Sequence, residues 1–304
     1  MTEKTSIFRR PLFVSLFAIL AATAWGWAYP LIKLGFAEFG INSDMTGSKM
    51  VFAGVRFTIS GLIVLLIAAA GKRSFAVSKP LDFFYILLFA LLNTTIHYAC
   101  FYIGLSHCPG ARAAMLNSLG VFLLVILACI FFESDRMSSS KIIGCVLGFS
   151  GILSLNLGSA GSGRFTLMGD GMIILNAVCS ACAGLLTRGL GKRCDIFVGT
   201  GYSLAHGGLL LLICGLAMGG TLPVVTLWGV VILFLLICIS TLGFSLYNKL
   251  ISCNPVGKVA IYNSLIPVIG AVTSCLCLNE VFYWKYLVAG ILSAGGIYII
   301  NREK

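Results

Sequence analysis

Long apolar runs follow one another along the whole chain, divided by short stretches that hold most of its charges and prolines. A helix needs roughly 20 apolar residues to cross a bilayer. Runs of that order fall near residues 11–36, 49–70, 82–105, 110–132, 139–158, 167–189, 195–218, 226–250, 257–278 and 283–301, which predicts ten spanning helices joined by short connections. The first run has signal-peptide features in Arg9, Arg10 and Ala22-Thr23-Ala24. It continues through Trp25, Tyr29 and Pro30 to about residue 36, so it reads as a span and not as a cleaved leader.

A repeat organises these runs. Sliding the sequence by 146 residues lays Ser106-His107-Cys108-Pro109-Gly110-Ala111-Arg112 on Ser252-Cys253-Asn254-Pro255-Val256-Gly257-Lys258, and Asn117-Ser118-Leu119 on Asn263-Ser264-Leu265. The shift matches the third run to the eighth and the fourth to the ninth, so the unit is five helices. Five is odd, and the second copy therefore crosses the membrane in the opposite sense. The expected fold is an all-α integral membrane protein with ten transmembrane helices, built as two inverted five-helix repeats over 1–158 and 159–304. Such architectures place a substrate site near the midplane between the halves and work by alternating access.

Charge sets the orientation. With an intracellular N-terminus, fifteen of the 21 Lys and Arg fall in inner segments and four in outer ones, leaving Lys33 and Arg56 within spans. That asymmetry predicts both termini on the cytoplasmic side. The same positions explain the net charge of +11 as membrane topology and remove nucleic acid as a partner. Composition agrees: across 304 residues, 59% are hydrophobic and 10% charged, with a mean hydropathy of +1.02, which excludes an ordinary globular enzyme. The twelve cysteines lie almost entirely inside apolar runs, and the Cys179/Cys182 pair has no second pair to complete a metal site. They read as packing residues.

Several local motifs resemble a known family. Trp25-Gly26 and Pro30 in the first helix, Arg56-Phe57 in the second, the Asn-Ser-Leu starts of the fourth and ninth, and Asn279-Glu280 closing the ninth look like the EamA-type branch of the drug/metabolite transporter superfamily. The resemblance covers the whole chain and implies a secondary transporter, with export as the direction. One departure is visible. The first-half acidic turn reads Phe132-Glu133-Ser134-Asp135-Arg136, and Glu280 falls against Ser134 at the 146 offset, which leaves open whether Glu133 or Asp135 is the equivalent acid.

Candidate binding residues follow from the cost of polar groups in the bilayer. A charge near the membrane centre costs roughly 2.5–3.5 kcal/mol on insertion scales, so Lys33 and Arg56 should each face a cavity or a partner. Their functional reading is a receptor for a carboxylate or phosphate; Lys33 could instead snorkel to the interface. Trp25, Tyr29 and Lys33 form one four-residue stripe on the first helix, and Asn93, His97 and Phe101 another on the third. Phe101 is matched in the repeat by Tyr247, which shares a helix face with Phe244, whereas His97 is matched by Gly243. Asn117 and Asn263 are repeat mates, Tyr262 adjoins the second, and either ligand contact or interhelical locking suits them. His97 could carry a proton or simply bridge helices. Glycines 144, 148 and 151 and glycines 290, 295 and 296 permit close helix packing, within a monomer or at a dimer contact.

No phosphate-binding loop of the G-x-x-x-x-G-K-[ST] type occurs, and no acid lies deep in an expected span. These features predict a small-molecule partner within a lipid bilayer, no cofactor or metal, and a monomer with a dimer left open. The expected activity is secondary transport of small polar metabolites, amino acids or related organic acids, across a bacterial plasma membrane. The alternatives are a multidrug or cationic-compound exporter, and a non-transporting membrane protein. An enzyme would need a convergent acid-base constellation, which the sequence does not present.

Overall fold

The computed structural model describes residues 7–77, 79–108, 110–156, 165–278 and 284–302. Every regular element among them is helical. They are α1 (Pro11–Glu38), α2 (Thr46–Ala70), α3 (Pro80–Ala90), α4 (Ile96–His107), α5 (Gly110–Asn117), α6 (Leu119–Phe131) and α7 (Ser139–Asn156), followed by α8 (Met172–Leu190), α9 (Ile196–Ala217), α10 (Leu227–Cys253), α11 (Val256–Ala260), α12 (Ile266–Leu278) and α13 (Lys285–Arg302). Seven continuous helical stretches among the described residues are long and apolar enough to cross a membrane: Pro11–Glu38, Thr46–Ala70, Pro80–His107, Leu167–Leu190, Ile196–Ala217, Leu227–Cys253 and Val256–Leu278. The α5–α6 pair, α7 and α13 occupy the segments expected as the fourth, fifth and tenth spans. Asn279 and Glu280 lie outside the described residues.

Three stretches expected to be regular helices are interrupted, and each interruption carries polar residues. A π-helical turn, Leu91–Thr95, separates α3 from α4 and holds Asn93. The fourth segment breaks between α5 and α6 at Asn117-Ser118-Leu119, and the ninth passes through a 3-10 turn, Ile261–Leu265, between α11 and α12. The two Asn-Ser-Leu motifs found by the repeat are therefore helix discontinuities and not helix starts. Pro30 makes a further local gap, because proline has no N–H to donate to the carbonyl four residues back. That carbonyl, on Gly26, accepts instead from Thr273 Oγ1 of α12 at 3.4 Å. A neighbouring hydroxyl thus satisfies what the ring leaves open, as the bilayer core demands.

The packing pairs helices from opposite ends of the sequence. The most extensive contact is α2 along α9, then α7 along α13; α1 lies along α10 and α12, and α8 lies along α4 and α6. Small residues allow the closest approaches. A Cβ on Gly61 would stand 2.2 Å from the Ala205 backbone nitrogen, and one on Gly296 would stand 2.6 Å from the Gly144 carbonyl oxygen. Gly144 and Gly148 of α7 are thereby brought against Gly296 of α13 within one chain.

Candidate functional site

Between α1, α10 and α12 on one side and α4, α5, α6 and α8 on the other lies a cavity of about 110 Å³. Ten of the twelve residues singled out from the sequence line it: Trp25, Tyr29, Arg56, Asn93, His97, Phe101, Asn117, Phe244, Tyr247 and Asn263. Lys33 and Tyr262 do not. Lys33 lines a separate pocket with Phe36, Ser43 and Ser106 among others, although the preceding residue, Ile32, lines the cavity. Tyr262 is buried, and its hydroxyl pairs with Ser15 Oγ at 2.6 Å.

Six aromatic rings line the cavity. Trp25 meets Phe244 and Tyr247 edge-on, with centroids 5.3 and 5.1 Å away, and Tyr29 meets Phe101 edge-on at 5.4 Å. Gly243 makes room for the indole, since a Cβ there would stand 2.8 Å from Trp25 Nε1. That explains why the repeat mate of His97 is glycine: the place an imidazole takes in the first half is taken by Trp25 in the second.

Arg56 supplies the positive charge. It is 1% exposed, and Nε reaches the Leu236 carbonyl at 3.1 Å and Ser240 Oγ at 2.8 Å on α10, while Nη1 donates to the Tyr102 hydroxyl at 3.0 Å. Its guanidinium carbon lies 4.8 Å from the Phe57 ring centroid. It makes no ion pair with a described residue, and none of the described residues lining the cavity is an Asp or Glu. A buried cation usually has a paired anion; here dipoles and a ring are its only protein partners among the described residues.

The remaining polar groups divide into a satisfied network and an unsatisfied set. Asn117, at the break between α5 and α6, donates to the Tyr29 hydroxyl at 2.9 Å and accepts from Asn176 Nδ2 at 2.6 Å, joining α1 to α8. Asn93 donates to Ser203 Oγ at 3.3 Å, tying the π-turn to α9. By contrast Trp25 Nε1, His97 Nδ1 and Asn263 Oδ1 are buried without hydrogen-bond partners. All three belong to residues of the cavity wall. Donors and acceptors left open in a low-dielectric site are costly, and a polar ligand would satisfy them.

The sequence reading missed Tyr98, Ser118, Ser180 and Thr187, which also line the cavity. A signal for two of them was present: Asn176, Ser180, Gly184 and Thr187 recur at helical spacing on α8 and describe a small, polar face. Lys49 was placed among the outer charges, yet it sits in the first turn of α2, fully buried, donating to the Ser43 carbonyl and, at 2.7 Å, to Ser106 Oγ.

Comparison with known proteins agrees with this architecture. The chain is 28% identical over 288 residues to "Uncharacterized transporter YvbV" of Bacillus subtilis (strain 168), covering 92% of this chain and 88% of that one. It is 25% identical over 288 residues to a "Probable terminal-alkyne amino-acid exporter" of Streptantibioticus cattleyicolor, covering 94% and 92%. It is 20% identical over 293 residues to a "Probable amino-acid metabolite efflux pump" of Escherichia coli (strain K12), covering 93% and 92%. A solved structure titled only "Crystal structure of protein" superposes with a TM-score of 0.75 at 17% identity, covering 94% of this chain and 95% of that one, which establishes a shared fold. The model of the EamA-like transporter family matches residues 12–157 and again 167–302, so the chain belongs to the EamA-like transporter family, whose members carry solutes across membranes and are not enzymes.

Proposed function

We propose that this protein is a secondary active exporter of small polar metabolites, amino acids or related organic acids, in a bacterial plasma membrane, working by alternating access to the central cavity. The carrying observation is the cavity's polarity. One buried guanidinium faces no carboxylate among the described lining residues, and the same wall holds three unpartnered polar atoms and six aromatic rings. A carboxylate would complement Arg56, the open donors and acceptors would orient the polar end, and the rings would enclose an apolar portion. Support also comes from the printed names of two relatives, an amino-acid exporter and an amino-acid metabolite efflux pump.

The spans number ten in this reading, as inverted repeats over 1–158 and 159–304, with both termini cytoplasmic. What supports it is that repeat mates pack on each other, α2 on α9 and α7 on α13, while α1 with α10 mirrors α8 with α4. The protein acts as a monomer, each chain holding a complete cavity. Lys33, outside the cavity, serves as a first attraction for an anionic solute and not as its receptor.

The test is the unfolding temperature of the purified protein against amino acids, organic acids, phosphorylated metabolites, nucleosides and cationic drugs, followed by flux in proteoliposomes. A ligand at a hundred times its Kd stabilises the folded state by about 2.7 kcal/mol, well within detection. Stabilisation and flux confined to carboxylate-bearing solutes are expected. Stabilisation by cations or lipophilic drugs alone would replace this reading with multidrug export, and no flux of any class would remove it.

A further inference from the structure

Helix packing divides the cavity wall into two bodies that differ from the two halves of the sequence. One body is α1 with α10, α11 and α12, since α1 lies along α10 and α12. The other is α8 with α4, α5 and α6. Each draws helices from both halves, and the cavity lies between them, so these are the surfaces that must part for access. On the face where α1 begins, the bodies meet at one buried carboxylate. Asp135 follows α6, is 0% exposed, and accepts the N–H groups of Val256 and Gly257, both at 3.0 Å, at the start of α11. From its own side Arg188 of α8 approaches at 3.3 Å, and Lys141 of α7, a helix of neither body, lies at 3.7 Å.

We infer that Asp135 is the latch of a gate at this face, holding the α1/α10–α12 body against the α4–α6/α8 body by capping α11. Three features make the contact a latch. Among the described contacts the carboxylate crosses between bodies through two backbone amides, which belong to a helix start favourable to negative charge. Arg188, on α8 of the same body, stays with Asp135 when the bodies separate, so opening does not strand a bare charge in an apolar region. Thr187, the residue before Arg188, lines the cavity, which sets the cluster directly beyond the cavity wall. Asp135, and not the exposed Glu133, therefore takes the buried place in the acidic turn. The latch's purpose rests on the transporter reading; its mechanics do not.

The experiment uses pulsed electron-paramagnetic-resonance distances in liposomes, with spin-labelled unnatural amino acids so that the native cysteines stay in place. One pair, at Arg10 and Lys192, reports the latch face, and a second, at Leu167 and Leu227, the opposite face; all four positions are exposed. In Asp135→Asn the latch-face pair should gain a longer-distance population about tenfold over the parent, while the opposite pair shifts to shorter distances. Val256→Pro is the second variant, because proline at a first helical position keeps the helix start while deleting one donor to Asp135; the same reciprocal shift is expected, smaller in size. Unchanged distances in both variants would overturn the latch. So would widening at the latch face alone, which would make Asp135 a local brace. Reciprocal shifts in a protein that carries no solute would keep the latch and discard the transporter reading.

Discussion

Replacing Arg56 by Met separates a ligand receptor from a structural brace, because a receptor loses affinity at little cost in stability and a brace loses stability at little cost in affinity. The guanidinium makes bonds to the Leu236 carbonyl, Ser240 Oγ and the Tyr102 hydroxyl. Hydrogen bonds to charged groups contribute about 1.5–3 kcal/mol each. Against that stands the several kcal/mol needed to keep an unpaired charge out of water. Ser240 also donates to Leu236 O at 3.0 Å without help from the arginine, so one acceptor stays satisfied after the change. The terms nearly cancel, and the unfolding free energy should move by no more than about 2 kcal/mol. Binding behaves otherwise. A carboxylate about 4 Å from the charge gains about 4 kcal/mol at an effective dielectric of 20. If desolvation removes half, the loss is still about 2 kcal/mol, or roughly 30-fold in Kd. The assay is isothermal titration of purified wild type and Arg56→Met with the stabilising solute, beside chemical unfolding of both. Arg56→Lys should recover part of the affinity, since it keeps the charge without the fork. Unchanged affinity in a protein destabilised by several kcal/mol would refute the reasoning and reduce Arg56 to a tie between α2, α4 and α10.

Three further outcomes follow from the same geometry. Gly243→Ala should displace the Trp25 indole, because the new Cβ would stand 2.8 Å from Nε1; a shifted tryptophan emission with lost flux and a nearly unchanged unfolding temperature would agree, and unchanged emission and flux would not. Asn117→Leu breaks the bonds to Tyr29 and Asn176 and leaves their polar atoms open; at about 0.6–2 kcal/mol per interhelical bond it should lower the unfolding free energy by about 1–4 kcal/mol, and no measurable loss would mean water replaces it. Lys33→Gln should leave the equilibrium Kd within about twofold while lowering the association rate and its salt dependence, as expected of a charge that steers without binding; a tenfold weaker Kd would return Lys33 to the receptor.

What the sequence disclosed and what it concealed divide along a physical line. Apolar length and charge asymmetry are properties of single segments, so the element order was legible, and four-residue stripes placed Trp25 with Tyr29 and His97 with Phe101 on the faces that line the cavity. Interruptions were not legible as such. Hydropathy does not register a π-turn at Leu91–Thr95 or a break at Asn117, because a few polar residues within a long run leave its average apolar. Once a π-turn shifts the register, a residue one place along joins the face, and Tyr98 enters the wall beside His97. The stripe through Trp25 and Tyr29 does not extend to Lys33: the neighbouring Ile32 is the last residue of α1 on the cavity wall, and the lysine lines a separate pocket. Arg56 shows the converse. Beyond the adjacent Phe57, its company comes from α10 and α4, which no spacing along α2 could reveal. Asp135 and Glu133 were equivalent as letters, and only the approach of α11, a body assembled from the other half of the chain, distinguishes them. In a repeat protein whose halves exchange partners, the residues that define both site and gate are those whose meaning depends on a helix some hundred residues away.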